Sequence, residues 1–359
     1  MTTRTIPRLT AIALLLGATA FIPVRAAPAF EVYGAWHCGN DYCTWSTVRD
    51  INDFDAKNHW LIDRGDGTPS VNLVVLSFVH PLDLLNKTTE ANPLAGIPPG
   101  MTQELVDYFK SHGVRVMLSI GGITYTKAWN QALAQNATQL GLNAAAVAQQ
   151  LGVGIEIDYE ENRSPNLVGL EAFIRAYRSV HPYESSGANH AARLTIDLAA
   201  GDRWLIDITR KATAEWLVGT APLLDYANAM VPARQPSVRD AIANWQEHVD
   251  GKPQYAPPIL PLAPARFTGS VYLVGGKVIP ECNNFAKSLQ NLTGSFVTTV
   301  ANKAVDATSA GMLGYMFWAA ECSGTRNVCT TPPNTCEGGV GAGATAYEVP
   351  IPMPALTRY

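Results

Sequence analysis

Glu156, Asp158 and Glu160 stand two residues apart in the run Gly154-Ile155-Glu156-Ile157-Asp158-Tyr159-Glu160. In an extended strand such residues share a face, so the three carboxyls point one way and Ile155, Ile157 and Tyr159 the other. Neighbouring acids then lie about 6–7 Å apart. Three ionised carboxylates this close in a partly dry site repel one another, and at least one holds a proton at neutral pH. A carboxylic acid kept protonated near pH 7 is what glycosidic cleavage asks of its general acid. Two other readings stay open: a solvated acidic strand end, and a calcium or magnesium site. No partner cluster elsewhere in the sequence supports the metal.

The strand that carries these acids is the fourth of eight apolar, β-rich runs. They are expected at Glu31–His37, Val71–His80, Val114–Gly122, Val153–Glu160, Arg193–Ala199, Leu223–Val231, Pro258–Ala263 and Met312–Ala319. Several are almost continuously apolar, as parallel strands covered on both faces are. Between them, Met101–His112, Ala128–Gln135, Asn143–Leu151, Leu167–Val180 and Val238–His248 read as amphipathic helices. Thr102 is placed to cap the first of these and Gly113 to stop it. Strands alternating with helices indicate an α/β fold, a single-domain (β/α)8 TIM barrel, with its active site at the C-terminal ends of the strands. A doubly wound sheet would want a glycine-rich phosphate turn after its first strand, and none is present.

The expected boundaries are a signal peptide over 1–26, the barrel over 27–322 and a Cys/Pro/Gly-rich tail over 323–359. Arg4 and Arg8 precede the apolar stretch Ala11–Ile22, and Val24-Arg25-Ala26 offers a cleavage site. The expected location is therefore extracellular or periplasmic, with no membrane attachment after cleavage. The formal charge is −4; removing three arginines and no acids gives −4 − 3 = −7. That balance disfavours nucleic acid and anionic membranes as partners. A neutral polymer such as a polysaccharide fits it better, and the protein is expected to be a monomer.

The six cysteines, Cys38, Cys43, Cys282, Cys322, Cys329 and Cys336, are even in number behind a secretory segment. Disulfides are the default, with a local Cys38–Cys43 clip, Cys282–Cys322, and Cys329–Cys336 pinning the tail as one of the pairings allowed. Among the aromatics, Trp36, Trp129, Trp204 and Trp318 are candidates to stack on sugar rings. Tyr33 on the first strand is a candidate for the same site. Gly121 and Gly122 are expected to permit a close backbone approach to the fourth strand or to a sugar.

On these residues the chain resembles glycoside hydrolase family 18, the chitinase family. The family's fourth-strand motif Asp-x-x-Asp-x-Asp-x-Glu falls on Val153–Glu160, and its third-strand Ser-x-Gly-Gly on Ser119-Ile120-Gly121-Gly122. Its eighth-strand tryptophan falls on Trp318, and its sixth-strand Asp-x-x-Asn-x-Met on Asp225–Met230. The chain departs at Val153, at Glu156 (one methylene longer) and at Pro232, where the family has a tyrosine that bonds the substrate's N-acetyl group. Tyr33, Tyr125 or Gln235 would have to stand in.

The resemblance implies cleavage of β-1,4-linked N-acetylglucosamine in chitin, peptidoglycan or N-glycans, with retention of configuration. It requires no cofactor and no metal. Glu160 would be the general acid and base, Asp158 the stabiliser of the substrate's acetamido group, and Glu156 its hydrogen-bonding partner. Trp318, Trp36 and Met230 would line the sugar site. A catalytically silent, glycan- or protein-binding relative is the alternative.

Overall fold

The computed structural model describes residues 1, 31–38, 50–88, 94–199, 204–230, 238–272, 312–318, 320, 340–346 and 348–356. Residues 2–26 of the expected signal segment, Pro232, Gln235 and every cysteine but Cys38 lie outside the described residues.

Eight parallel strands close into a barrel in chain order. They are β1 (Val32–Cys38), β2 (Leu73–Val79), β3 (Arg115–Gly121), β4 (Gly154–Asp158), β5 (Leu194–Ala199), β6 (Ala227–Met230), β7 (Phe267–Tyr272) and β8 (Gly314–Trp318). The helices are α1 (Ile51–Asn58), α2 (Pro81–Asn86), α3 (Gln103–Ser111), α4 (Thr126–Leu151), α5 (Leu167–Val180), α6 (Ile206–Lys211), α7 (Val238–Asp250) and α8 (Val340–Ala346). The expected (β/α)8 barrel is thus the fold.

Alternation along the strands divides the apolar residues into two cores. Tyr33, Ala35, Val74, Leu76, Val116, Leu118, Ile155, Ile157, Ile196 and Leu198 pack outward against the helices. Val32, Trp36, Leu73, Val75, Met117, Tyr226, Leu313 and Met316 fill the interior. Local sequence sets the helix ends. The Thr102 hydroxyl accepts from the Leu105 N–H at 3.2 Å and starts α3, and Asn166 caps α5 through the Gly169 N–H at 2.9 Å; each satisfies an orphan donor of a first turn.

Two expectations on elements need correction. The seventh strand is not Pro258–Ala263 but Phe267–Tyr272. Pro257, Pro258, Pro261 and Pro264 lack the N–H groups a ladder needs, so that stretch stays irregular, with an isolated bridge from Lys252 to Ile259 and a Leu262 N–H that donates to the His248 carbonyl at 2.8 Å. The two helices expected over 128–135 and 143–151 are one long element, α4, kinked where Asn136 leaves helical geometry (φ −164°, ψ 80°).

At the N-terminal foot of the barrel, Asp225 is buried between two cations. It accepts from Arg178 Nη2 and Arg193 Nη1, each at 2.9 Å, and from the Leu194 N–H at 2.7 Å. The tail also reaches this foot. Tyr33 donates through its hydroxyl to the Val340 carbonyl at 3.0 Å, and Asn72 Nδ2 donates to the Pro350 carbonyl at 3.2 Å. Met353 and Leu356 then join the interior core, the cluster that also holds Val32 and Leu73.

Candidate active site

The β4 carboxylates sit inside the barrel. Glu156 and Asp158 are buried on the inward face of β4, while Ile155, Ile157 and Tyr159 belong to the outer core. Glu160 lies two residues past Asp158, at the C-terminal mouth, and is half-buried. Alternation therefore delivers the three acids to one side, as their spacing requires.

Glu156 is held from both sides of the barrel. Its Oε1 accepts from Trp36 Nε1 of β1 at 2.7 Å, and its Oε2 from Asn228 Nδ2 of β6 at 2.6 Å. Asn228 is oriented in turn by the Thr268 hydroxyl of β7, which donates to its Oδ1 at 2.7 Å. Burial pushes the Glu156 carboxyl up, and these donors oppose the push. Asp158 has no such relief. Burial, then the charges of Glu160 and Glu156, hold it well above the usual carboxylate range. Its Oδ1 meets no donor among the described residues.

Burial raises Glu160 to about 7, against the opposing effect of the Trp204 indole N–H and the Ile123 backbone N–H that face its carboxyl. A carboxyl poised there can give and take a proton at neutral pH. Trp204 is 40% exposed and Ile123 57% exposed, so apolar surface flanks Glu160 at the mouth. Trp204 is positioned by its neighbour. Leu205 adopts a left-handed conformation (φ 52°), and its N–H donates to Asn162 Oδ1 at 2.7 Å, tying the loop after β5 to the loop that carries Glu160.

Gly121 and Gly122 serve the approach of β3 to β4. Gly121 has φ +119°, and a Cβ there would stand 2.0 Å from the Asp158 carbonyl oxygen and 2.2 Å from Trp129 Nε1. The Gly122 N–H donates to the same carbonyl at 2.9 Å. Trp129, a candidate sugar platform by sequence, is instead fully buried outside the barrel. Its indole N–H bonds the Ile120 and Asp158 carbonyls, each at 3.1 Å.

Trp318 closes β8 at the mouth, half-buried, with its ring stacked on Phe78 at 5.5 Å between centroids and 30° between planes. Met230 ends β6, half-buried, two residues after Asn228. Trp36 faces the interior, but its polar edge is committed to Glu156. Tyr33 is a correction: it is fully buried in the outer layer, edge-to-face with Phe317 at 4.8 Å, so it cannot line the site. The reason is parity, since Tyr33 and Trp36 are three apart and a strand turns them to opposite faces.

Asp225 of the sixth-strand motif belongs to the foot, at the opposite end from Asp158. Sequence reading passed over Asp197 on β5, which is buried beside Glu156 and Asp158. The signal for it was present: Thr195 and Asp197 alternate with Leu194, Ile196 and Leu198. Among the described residues, no group of three or more His, Cys, Asp or Glu side chains has the arrangement of a metal site.

No protein-family model and no curated protein matches the sequence. Solved structures do. A chitinase from Rhizomucor miehei superposes with a TM-score of 0.50 at 13% identity, over 88% of this chain and 99% of that one. The chain shares that chitinase's fold. A GH18 chitinase from Pseudoalteromonas aurantia (TM-score 0.49, 11% identity, 79% and 93% of the two chains) is also similar. So is a class V chitinase from Nicotiana tobaccum (TM-score 0.49, 13% identity, 88% and 99%).

Proposed function

We propose that the protein is a secreted, retaining glycoside hydrolase that cleaves β-1,4-linked N-acetylglucosamine glycans by a substrate-assisted mechanism. The observation that carries this reading is the pair Glu156 and Asp158 on one face of β4, continued past the end of the strand by Glu160, a carboxyl poised near neutral pH at the barrel mouth. Glu160 protonates the departing glycosidic oxygen. The substrate's acetamido oxygen attacks the anomeric carbon and forms an oxazolinium ion. Asp158 stabilises that cation from within the barrel, and Glu160 then takes a proton from the attacking water. Trp318, backed by Phe78, offers an aromatic floor to the sugar. Family 18 enzymes follow this route rather than the two-carboxylate one.

Glu156 for the family's aspartate is compatible with turnover, because Trp36 and Asn228 hold both of its oxygens. The test is the need for the acetamido group. Fully N-acetylated chito-oligosaccharides should be hydrolysed with the β-anomer appearing first by NMR, and oligomers of free glucosamine should not. Equal turnover of the two would sink substrate assistance. Binding without turnover on any N-acetylated glycan would favour the silent, lectin-like alternative.

A further inference from the structure

Inside the barrel, β5 contributes a fourth carboxyl. Ile196 pairs with Ile157, so Asp197 stands level with Asp158 on the neighbouring strand, about 5 Å away between backbones. On its other side it pairs with Asn228. Asp197 is 2% exposed, and its Oδ1 meets no N–H or O–H donor among the described residues.

Its acidic neighbour Glu156 already accepts two short hydrogen bonds, from Trp36 and Asn228. Although Glu156 is two residues nearer the foot than Asp158, its carboxyl is in hydrogen-bonding contact with that of Asp197, and two carboxyl groups so placed need one proton between them. Glu156, supplied with donors, is the acceptor, which leaves the proton on Asp197. Glu156 and Asp158 approach from β4, and burial with their charges drives Asp197 toward its neutral form, against a smaller opposing hydrogen bond from Asn228. From β6 come Asn228 and, one layer lower, Tyr226. Arg193 lies four residues back along the chain, about 13 Å away, and is bonded to Asp225.

We propose that Asp197 is a positioning residue for the cleavage chemistry: it donates a hydrogen bond to Glu156 and so keeps the negative charge of the group on the β4 carboxylates that face the substrate. This rests on the hydrolase reading above. Asp197→Asn keeps a neutral donor of the same shape, and Asp197→Ala removes it. With chito-oligosaccharide as substrate, Asn should keep kcat within a few-fold of wild type. Ala should lower kcat about 10–100-fold, the worth of one hydrogen bond to a charged group, with KM little changed.

A second readout needs no turnover. An acid raised by folding binds its proton more tightly folded than unfolded, so wild type loses stability as pH climbs above the unfolded value near 4. Asn carries no such penalty. The thermal midpoint of Asp197→Asn should therefore exceed that of wild type by a margin that widens with pH, which a packing role alone would not produce. A working wild type whose margin does not widen, or an Asn variant as inactive as Ala, overturns the proposal. A wild type silent on every N-acetylated glycan overturns the hydrolase reading, and the positioning role with it.

Discussion

Glu160 and the two groups that face it account for the acid–base behaviour expected at the mouth. The proposed mechanism needs Glu160 protonated for its first step, so kcat/KM should fall as pH rises through about 7. The Trp204 indole N–H favours the ionised form. Trp204→Phe keeps an aromatic face but removes that donor, which raises the Glu160 pKa and should move the alkaline limb to higher pH. A limb that stays in place, or moves down, would remove Trp204 from the account. The β4 acids could be read directly from sequence, because alternation alone decides which side chains share a face. Tyr33 was misread for the same reason, its parity with Trp36 having gone uncounted. Asp197 carried the same two-residue signal as β4, but a single acid in an apolar strand draws no attention until its neighbours across the sheet are known.

At the scale of elements, the junction of β3 with β4 positions the strand that carries the proposed catalytic acids. The Asp158 carbonyl receives the Gly122 N–H and the Trp129 indole, and Gly121 leaves room for both. Gly121→Ala would force a Cβ against that carbonyl in a backbone region that side chains avoid. A loss of about 3 kcal/mol is expected, read as a lower midpoint in denaturant. Wild-type stability in the alanine variant would mean that β3 does not approach β4 as described. Elements with clean periodicity, such as α3, α5 and β3, were readable nearly to the residue. The seventh strand was not. Its Phe267-Thr268-Gly269-Ser270 is polar and small on the inward side, while the preceding proline-rich stretch is the more apolar. Hydrophobicity pointed to the wrong segment, and the missing N–H groups decided against it.

The described residues form a barrel with the proposed site at one end and residues of the tail at the other. The tail reads as loop because Met353 and Leu356 follow no period, yet both enter the interior core at the foot. The cluster they join includes Val32 and Leu73, from the starts of β1 and β2, a long-range association that no local pattern displays. Leu356→Ala should cost about 2–4 kcal/mol of stability and leave kcat near wild type at temperatures where the variant is folded. A loss of kcat without loss of stability would link the foot to the site in a way this arrangement does not provide. The central claim is that the mouth of this barrel cleaves glycosidic bonds with Glu160 as acid and base. The most direct measurement is turnover of N-acetylated chito-oligosaccharides by wild type and Glu160→Gln, with binding of the same sugars followed in parallel. Glutamine keeps the shape but cannot cycle a proton, so hydrolysis should fall by at least about 10²–10⁴-fold while binding persists. Comparable turnover by the two proteins would contradict the account.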